Sequence, residues 1–507
     1  MGKYILAHDL GTTGNKATLY NYKGDLIGST FSAYDTFYPH LNWAEQNPLD
    51  WWHAVCESTK KLIADKSIDK KEIAVISFSG QMMGCLPIDK EGNALCRSII
   101  WADQRSIKQA DRLESKIGGQ KIYKITGHRV SPSYSIEKIM WLMDNEPDIY
   151  AKTYKFLHAK DYVVLKLTGE FVTDYSDVSG MNLFDITKKE WSEEIIFAAG
   201  VDKELFPEVH SSFDVVGEVR KGAAKEIGLS VGTPVVIGAG DGPAASVGAA
   251  VVKEGKAYNY IGSSSWIALA TNKPILDPEE KTFNWIHADP EMYMPCGTMQ
   301  TAGASYNWLK NTFCQAEIAS ASKLNLSPYE LMNLSVEKSI PGAKNLIYLP
   351  YLLGERSPHW NPNAKGAFIG LTMRHTRQDI MRSVLEGVTF NLKFIAEIFE
   401  NRIDFSQIRV IGGGAKGKTW RKIMADIYDK EVLRPEILQE ATSLGAAIIG
   451  GVGVGIFDSI AVAEKLNPII DIQKPCSKNT RKYQKLYPIF KEAYQDLIRV
   501  YDSLSKL

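Results

Sequence analysis

"YILAHDLGTTGNKATLYN", residues 4–21, reads as a β-strand, a tight turn and a second strand. The apolar run from Tyr4 reaches Asp9, the small residues of "GTTG" break it, and Lys16 to Asn21 resumes the strand pattern. Far along the chain, "KAYNYIGSSSWIALATN", residues 256–272, has the same layout: strand, a turn of glycine and hydroxyl residues, strand. Two such hairpins point to an internal repeat, two related lobes facing each other. The alternative is coincidence of two small-residue turns.

Around these hairpins, strand-like runs alternate with helix-length amphipathic runs. "EIAVISFSGQ" (72–81) is one of the former and Ser106 to Lys116 one of the latter. That alternation indicates an α/β protein. A chain of 507 residues exceeds one ordinary domain, and the expected division is 1–247 and 248–507. Hydrophobic residues make up 45% and charged residues 23%, a globular balance. Lys+Arg and Asp+Glu both number 59, which gives no support for a nucleic-acid partner. The six cysteines form no CxxC pair and sit near no histidine at zinc spacing, so free thiols in a reducing cytoplasm are expected. "MGKYILAHDL" lacks a signal-peptide core. The run from Leu444, "LGAAIIGGVGVGIF", falls short of the about 20 residues that span a bilayer and reads as a buried helix. No membrane partner and a cytoplasmic location follow as expectations. "NPIIDIQKP" (467–475) leads into a closing helix, Asn479 to Leu504.

Five segments offer chemistry. In "DLGTTG", glycines allow close backbone approach, Thr12 and Thr13 supply hydroxyls, and the turn's N–H groups suit an anion. Asp9, at the strand end, could hold Mg²⁺ through water, or be an acid in a plain hairpin turn. In "IGAGDGPAASVGAA" (237–250), Asp241 stands among small residues. Space rather than bulk around a carboxylate suits a general base, and an N-cap aspartate is the competing reading. "SGQMMGCLPID" offers Gln81, Met82 and Met83, and "IIWADQRS" offers Trp101, Asp103, Gln104 and Arg105. A polyol needs hydrogen-bonding groups plus an apolar face, and these segments supply both. Core filling competes for the methionines and a surface ion pair for Asp103 and Arg105. Finally, "IRVIGGGAKGKTWRKIMADIYDK" (408–430) satisfies two nucleotide patterns together, a P-loop ending at Lys418-Thr419 and a dinucleotide fingerprint ending at Gly417. Little chain follows Thr419 to build a P-loop sheet, and no βαβαβ unit follows Glu436.

Three further stretches complete a pattern: "SYSIEKIMWLMDN" (133–145) with Lys138 and Trp141, "LPYLLGERSPHW" (349–360), and "GAFIGLTMRHTRQDIMRSVLE" (366–386). In order, and over nearly the whole chain, these resemble the FGGY carbohydrate kinases, closest to the xylulokinase-like branch. The resemblance implies two actin/hexokinase/Hsp70-like (ribonuclease H-like) lobes with a deep interlobe cleft. It implies ATP and Mg²⁺ as cofactors, and a small sugar or polyol as partner, with a homodimer common in such kinases.

The resemblance also implies roles. Asp241 would be the general base and Asp9 would position Mg²⁺. Gln81, Met82, Met83, Trp101, Asp103, Arg105 and Gly242 would border the sugar. Gly11, Thr12, Thr13 and Lys16 would meet the phosphates from one lobe, and Gly262, Ser263 and Ser264 from the other. Gly303 and Asn307 would lie near the nucleotide, with Gly413, Gly414 and Lys418 against nucleoside and α-phosphate. Chains of this kind have the glycines without a fixed Lys-Thr pair, so the 408–430 stretch is read as a kinase nucleoside loop. The implied reaction is phosphorylation of a terminal hydroxyl, with a pentulose such as xylulose first. Another ketose, polyol or aldonate (ribulose, erythritol, gluconate) is the alternative, and a sugar-independent ATPase sensor stands behind both. Two positions depart from the xylulokinase pattern: Met83 where a histidine is usual, and Gly242 where an asparagine is usual.

Overall fold

The computed structural model describes residues 3–507. They form two compact units. The first holds the chain up to Glu254 together with Ala270–Met294 and Glu440–Asn467. The second holds Gly255–Leu269, Pro295–Gln439 and Pro468–Leu507. The ranges 1–247 and 248–507 thus give the order of the chain, while two later segments return to complete the first unit.

The sheet of the first unit is built from β1 (Tyr4–Leu10), β2 (Gly14–Asn21), β3 (Leu26–Ala33), β4 (Ile73–Gly80), β5 (Val215–Glu218) and β6 (Pro234–Val236), in the order β5-β6-β4-β1-β2-β3. β1, β2 and β3 are an antiparallel meander, β4 pairs parallel with β1, and β6 parallel with β4. A short strand, β7 (Ala239–Gly240), continues beside the end of β4. Ile5, Leu6, Ala7 and Leu10 are all fully buried, the near-continuous apolar run of a strand covered on both faces. Helix Pro48–Asp65 contributes Trp51, Trp52, Val55 and Leu62 to the core on one face. It opens on Asn47, whose side chain accepts from Leu49 N–H, with Pro48 as its first residue. Helix Ala441–Gly453 lies against β1 and β4.

The sheet of the second unit repeats this plan. β8 (Ala257–Ile261), β9 (Ser265–Leu269) and β10 (Tyr293–Met299, from Pro295 onward in this unit) form the antiparallel meander. β11 (Gln407–Ile411) pairs parallel with β8, and β12 (Glu431–Pro435) parallel with β11. β13 (Ile469–Gln473), in the segment read only as a lead-in, closes the edge antiparallel to β12. The strand order β10-β9-β8-β11-β12 matches β3-β2-β1-β4-β6, so the two look-alike hairpins are β1–β2 and β8–β9 of a duplicated fold. The closing helix runs over Ser477–Leu504.

Helix Asp241–Gly248 crosses helix Ala441–Gly453 at backbone contact. A Cβ on Gly248 would stand 1.7 Å from the Ala441 carbonyl oxygen, and one on Gly445 would stand 1.8 Å from that of Ala244. Only glycine permits such an approach from each side. This reciprocal fit explains both small-residue stretches, and why the apolar 444–457 segment belongs to a core. Among the described residues no helix is long and apolar enough to cross a membrane.

Candidate active site

In the first unit, Asp9 lies at the end of β1, opposite Lys16 on β2 and Ser79 on β4. Its Oδ1 accepts from Ser79 Oγ at 2.8 Å. Burial raises its pKa, against the pull of Ser79 and Lys16. Asp241 is the first residue of its helix, and Gly240 stands at the cap position without a side-chain cap, so the N-cap reading does not apply. Asp241 Oδ1 accepts from Gly242 N–H at 2.7 Å. Burial first, and the charge of Asp9 next, push its pKa up to about 7. Two acids distant in sequence therefore share one electrostatic environment, and one of them is poised near neutrality, where a general base works best.

The turn after β1 closes with Gly11 N–H donating to Gly14 O at 3.1 Å. Thr12 Oγ1 accepts from the Trp101 indole at 3.0 Å, and Thr12 O accepts from Gln46 Nε2 at 2.6 Å. Gln46 Oε1 in turn accepts from Gln81 Nε2 at 2.7 Å, joining this turn to the segment expected at the sugar. Gln81 is nearly buried, and its Oε1 meets no donor from the protein. Met82 packs on the turn before the base, since a Cβ on Gly240 would stand 2.5 Å from its Sδ. Met83 has φ of +63°, a sparsely populated region for a methionine. The signature residue Lys138 holds it there, with Nζ 2.7 Å from Met83 O and 2.6 Å from Ser133 O.

Asp103 and Arg105 do not form the surface pair weighed above. Asp103 is fully buried. Its oxygens accept from Arg105 Nε at 3.0 Å, Arg105 Nη2 at 2.7 Å, Ala44 N at 2.6 Å and Arg105 N at 2.8 Å. Its part is to hold the arginine. Arg105 also reaches Glu45 at 2.8 Å and lies 3.7 Å over the Trp43 ring, with Trp141 at 5.0 Å and packed edge-on against Trp43.

The second unit gathers its own candidates. Gly262 N–H donates to Ser264 O at 2.9 Å and closes the turn after β8. Ser263 O accepts from Ala302 N–H at 2.9 Å and Ala304 N–H at 3.0 Å, and Gly262 O accepts from Gly303 N–H at 3.0 Å. The turn is thus stitched to the start of helix Gly303–Phe313. A Cβ on Gly303 would stand 2.3 Å from Gly262 O, and one on Gly412 2.6 Å from Ile261 O. The turn 262–264, Gly303 and the glycines 412–414 therefore converge at the end of β8. Exposed Ser263 and Gly413 and a helix N-terminus at one place fit a nucleotide phosphate. Asn307 is exposed one turn further along, with Oδ1 accepting from Tyr329 Oη at 3.0 Å.

Neither nucleotide pattern in 408–430 is realised. Residues Gly413–Lys416 form a single 3₁₀ turn before helix Lys418–Tyr428. The Thr419 hydroxyl, which a P-loop would give to Mg²⁺, donates to Glu337 at 2.8 Å, while Lys418 is exposed. After β12 the next strand is antiparallel, so no βαβαβ unit follows from β11.

Sequence reasoning missed a charge cluster below Asp241. His158, Asp161 and Asp177 stand close enough to ligate a metal. The Lys160 ammonium occupies that position, 2.6 Å from Asp161, 2.8 Å from Asp174 and 3.2 Å from Asp177. The available signal was an acid–base pair, Lys160-Asp161, heading a largely apolar helix. For a divalent cation in the first unit, half-buried Asp9 is the fitting carboxylate.

The chain is similar to known proteins over nearly its whole length. Residues 4–248 match the model of the N-terminal domain of the FGGY family of carbohydrate kinases, and residues 257–454 that of its C-terminal domain. The chain is 33% identical to a xylulose kinase of Bacillus subtilis over 97% of each chain. It is 32% identical to a gluconokinase of Bacillus licheniformis over 97% of this chain and 95% of that protein. The structure of a ligand-bound xylulose kinase from Lactobacillus acidophilus superposes with a TM-score of 0.92 at 27% identity, covering 99% of this chain and 100% of that one.

Proposed function

This chain belongs to the FGGY family of carbohydrate kinases, and from that premise we propose that it phosphorylates a terminal hydroxyl of a small neutral polyol, a pentulose such as xylulose, with Asp241 as general base. The observation that carries this reading is a carboxylate at the start of a helix, beside Asp9, with a pKa near 7. Asp241 accepts the proton of the attacking hydroxyl as the new O–P bond forms and the bond to the departing ADP oxygen breaks. ATP and its divalent cation supply the phosphoryl group and the positive charge against its oxygens. On this reading Asp9 holds the cation through water, and the joined turns at Gly262 and Gly303 hold phosphate through backbone N–H groups. General-base help contributes about 10²–10⁴-fold.

Gln81 Oε1, enclosed and without a protein donor, would accept a substrate hydroxyl. Arg105 and Lys138 are both engaged within the protein, so neither supplies a free charge for a carboxylate. That favours a neutral ketose. Gluconate is the second reading, favoured by the likeness to the gluconokinase of Bacillus licheniformis. The test is ATP turnover with D-xylulose, D-ribulose, erythritol, gluconate and no sugar. Strong stimulation by one pentulose, with its phosphate as product, is expected. Stimulation by gluconate alone selects the second reading, and hydrolysis indifferent to all four overturns both.

A further inference from the structure

The cluster around Lys160 has a geometry that reaches the base. Lys160 is fully buried in helix Ala159–Thr168, and its three carboxylates keep its pKa well above the ordinary value despite burial. Asp174 gives Oδ1 to the lysine and turns Oδ2 the other way. Oδ2 accepts from Ser176 N at 2.9 Å, Ser176 Oγ at 2.5 Å and Ser212 Oγ at 2.7 Å. With its proton on Asp174, Ser176 Oγ accepts from the Gly240 N–H at 2.9 Å. Gly240 is the residue before Asp241, where the chain leaves β7 and enters the helix.

A second arm runs the opposite way. Asp177 Oδ1 lies 2.5 Å from His158 Nδ1, and His158 Nε2 lies 3.1 Å from Ser135 Oγ. Ser135 donates to Gly84 O at 2.7 Å, so it receives from the imidazole, and both ring nitrogens donate. Gly84 ends the Gln81–Gly84 segment. One hub therefore grips both the peptide that aims the carboxylate and the loop expected at the sugar. Buried ion clusters add little stability over apolar residues of equal volume. Orientation is what this one supplies.

We propose that Ser176, held by Asp174 and the Lys160 ammonium, is a positioning residue for Asp241, fixing the Gly240 peptide from which the carboxylate is aimed. The inference rests on Asp241 being the base. The charged groups bearing on Asp241 are Asp9 and Asp177, with Lys16 bearing on Asp9.

The experiment compares Ser176→Ala, Asp174→Asn, the double variant and Asp241→Asn in steady-state kinetics across pH. Ser176→Ala frees the Gly240 peptide. Its kcat is expected to fall about 10- to 100-fold, the cost of a small misplacement, with the KM for ATP unchanged. Its kcat–pH limb moves to lower pH, because the released carboxylate relaxes toward water. The double variant is expected to be no slower than the worse single, since groups acting as one unit are not additive. Wild-type kcat and pH limb in Ser176→Ala would overturn the positioning role while Asp241→Asn stayed slow. So would additive losses that track a fall in Tm, the mark of a fold-only role. Near-normal turnover in Asp241→Asn would instead remove the base itself, whatever Ser176 does.

Discussion

The rate of this kinase should titrate with Asp241. Its carboxyl is pushed to about 7 by burial and by Asp9. The base works ionised, and ionisation falls from about nine-tenths at pH 8 to one-tenth at pH 6 for such a group. The kcat/KM should therefore drop roughly tenfold over those two units. The assay is ADP release at sugar and MgATP well below their KM values, in buffers of constant ionic strength, with coupling enzymes shown to be in excess at every pH. Stability should run the other way. A folded pKa raised above 3.8 favours the protonated fold, so this stability is full below about 4 and lost as pH rises through 7. At 1.36 kcal/mol per unit the ceiling is about 4 kcal/mol, or roughly 2 after discounting for the partly exposed side chain. Asp241→Asn should thus unfold at higher denaturant than wild type at pH 8, and the gap should shrink toward pH 4. A kcat/KM flat from pH 5.5 to 8, or a limb in the ordinary carboxylate range, would refute the reasoning.

Three substitutions separate the parts. Gly445→Ala forces apart two helices at backbone contact. Overpacking of that kind costs about 1–3 kcal/mol, so urea unfolding should show a lower midpoint, and kcat should fall because Asp241 heads the displaced helix. Gly303→Ala puts a Cβ 2.3 Å from the Gly262 carbonyl oxygen. Nucleotide titration should show ATP affinity lowered about tenfold or more, a loss of at least 1.4 kcal/mol, with sugar affinity kept. Lys418→Ala, at an exposed side chain, should leave kcat/KM within about threefold, whereas loss of a true phosphate-binding lysine would cost about 10²–10³.

The hairpins of β1–β2 and β8–β9 were legible because a small-residue turn between apolar strands is a local signal. The placement of Asp9 and Asp241 was legible for the same reason: each stands at a strand end amid small residues. What local pattern could not carry was pairing across the chain. That helix Ala441–Gly453 completes the first unit depends on Gly248 and Gly445 meeting, two glycines far apart in sequence. Asp103 and Arg105 looked like a sugar contact or a surface pair, because the covering rings of Trp43 and Trp141 come from elsewhere. The Lys160 hub draws carboxylates from its own helix, from the end of strand Val172–Asp174 and from the short helix Tyr175–Val178, and only its Lys-Asp pair at the head of a largely apolar helix hinted at it. The two nucleotide patterns in 408–430 show the reverse error: spacing matched while the Thr419 hydroxyl was committed to Glu337.

Single-turnover phosphoryl transfer by Asp241→Asn, preloaded with MgATP and mixed with the sugar that stimulates wild type, tests the account most directly. A rate lower by at least about 10²-fold, with ATP affinity intact, is what a proton-accepting carboxylate predicts. Transfer at the wild-type rate would contradict it and leave Asp241 as a helix-start residue without a part in the chemistry.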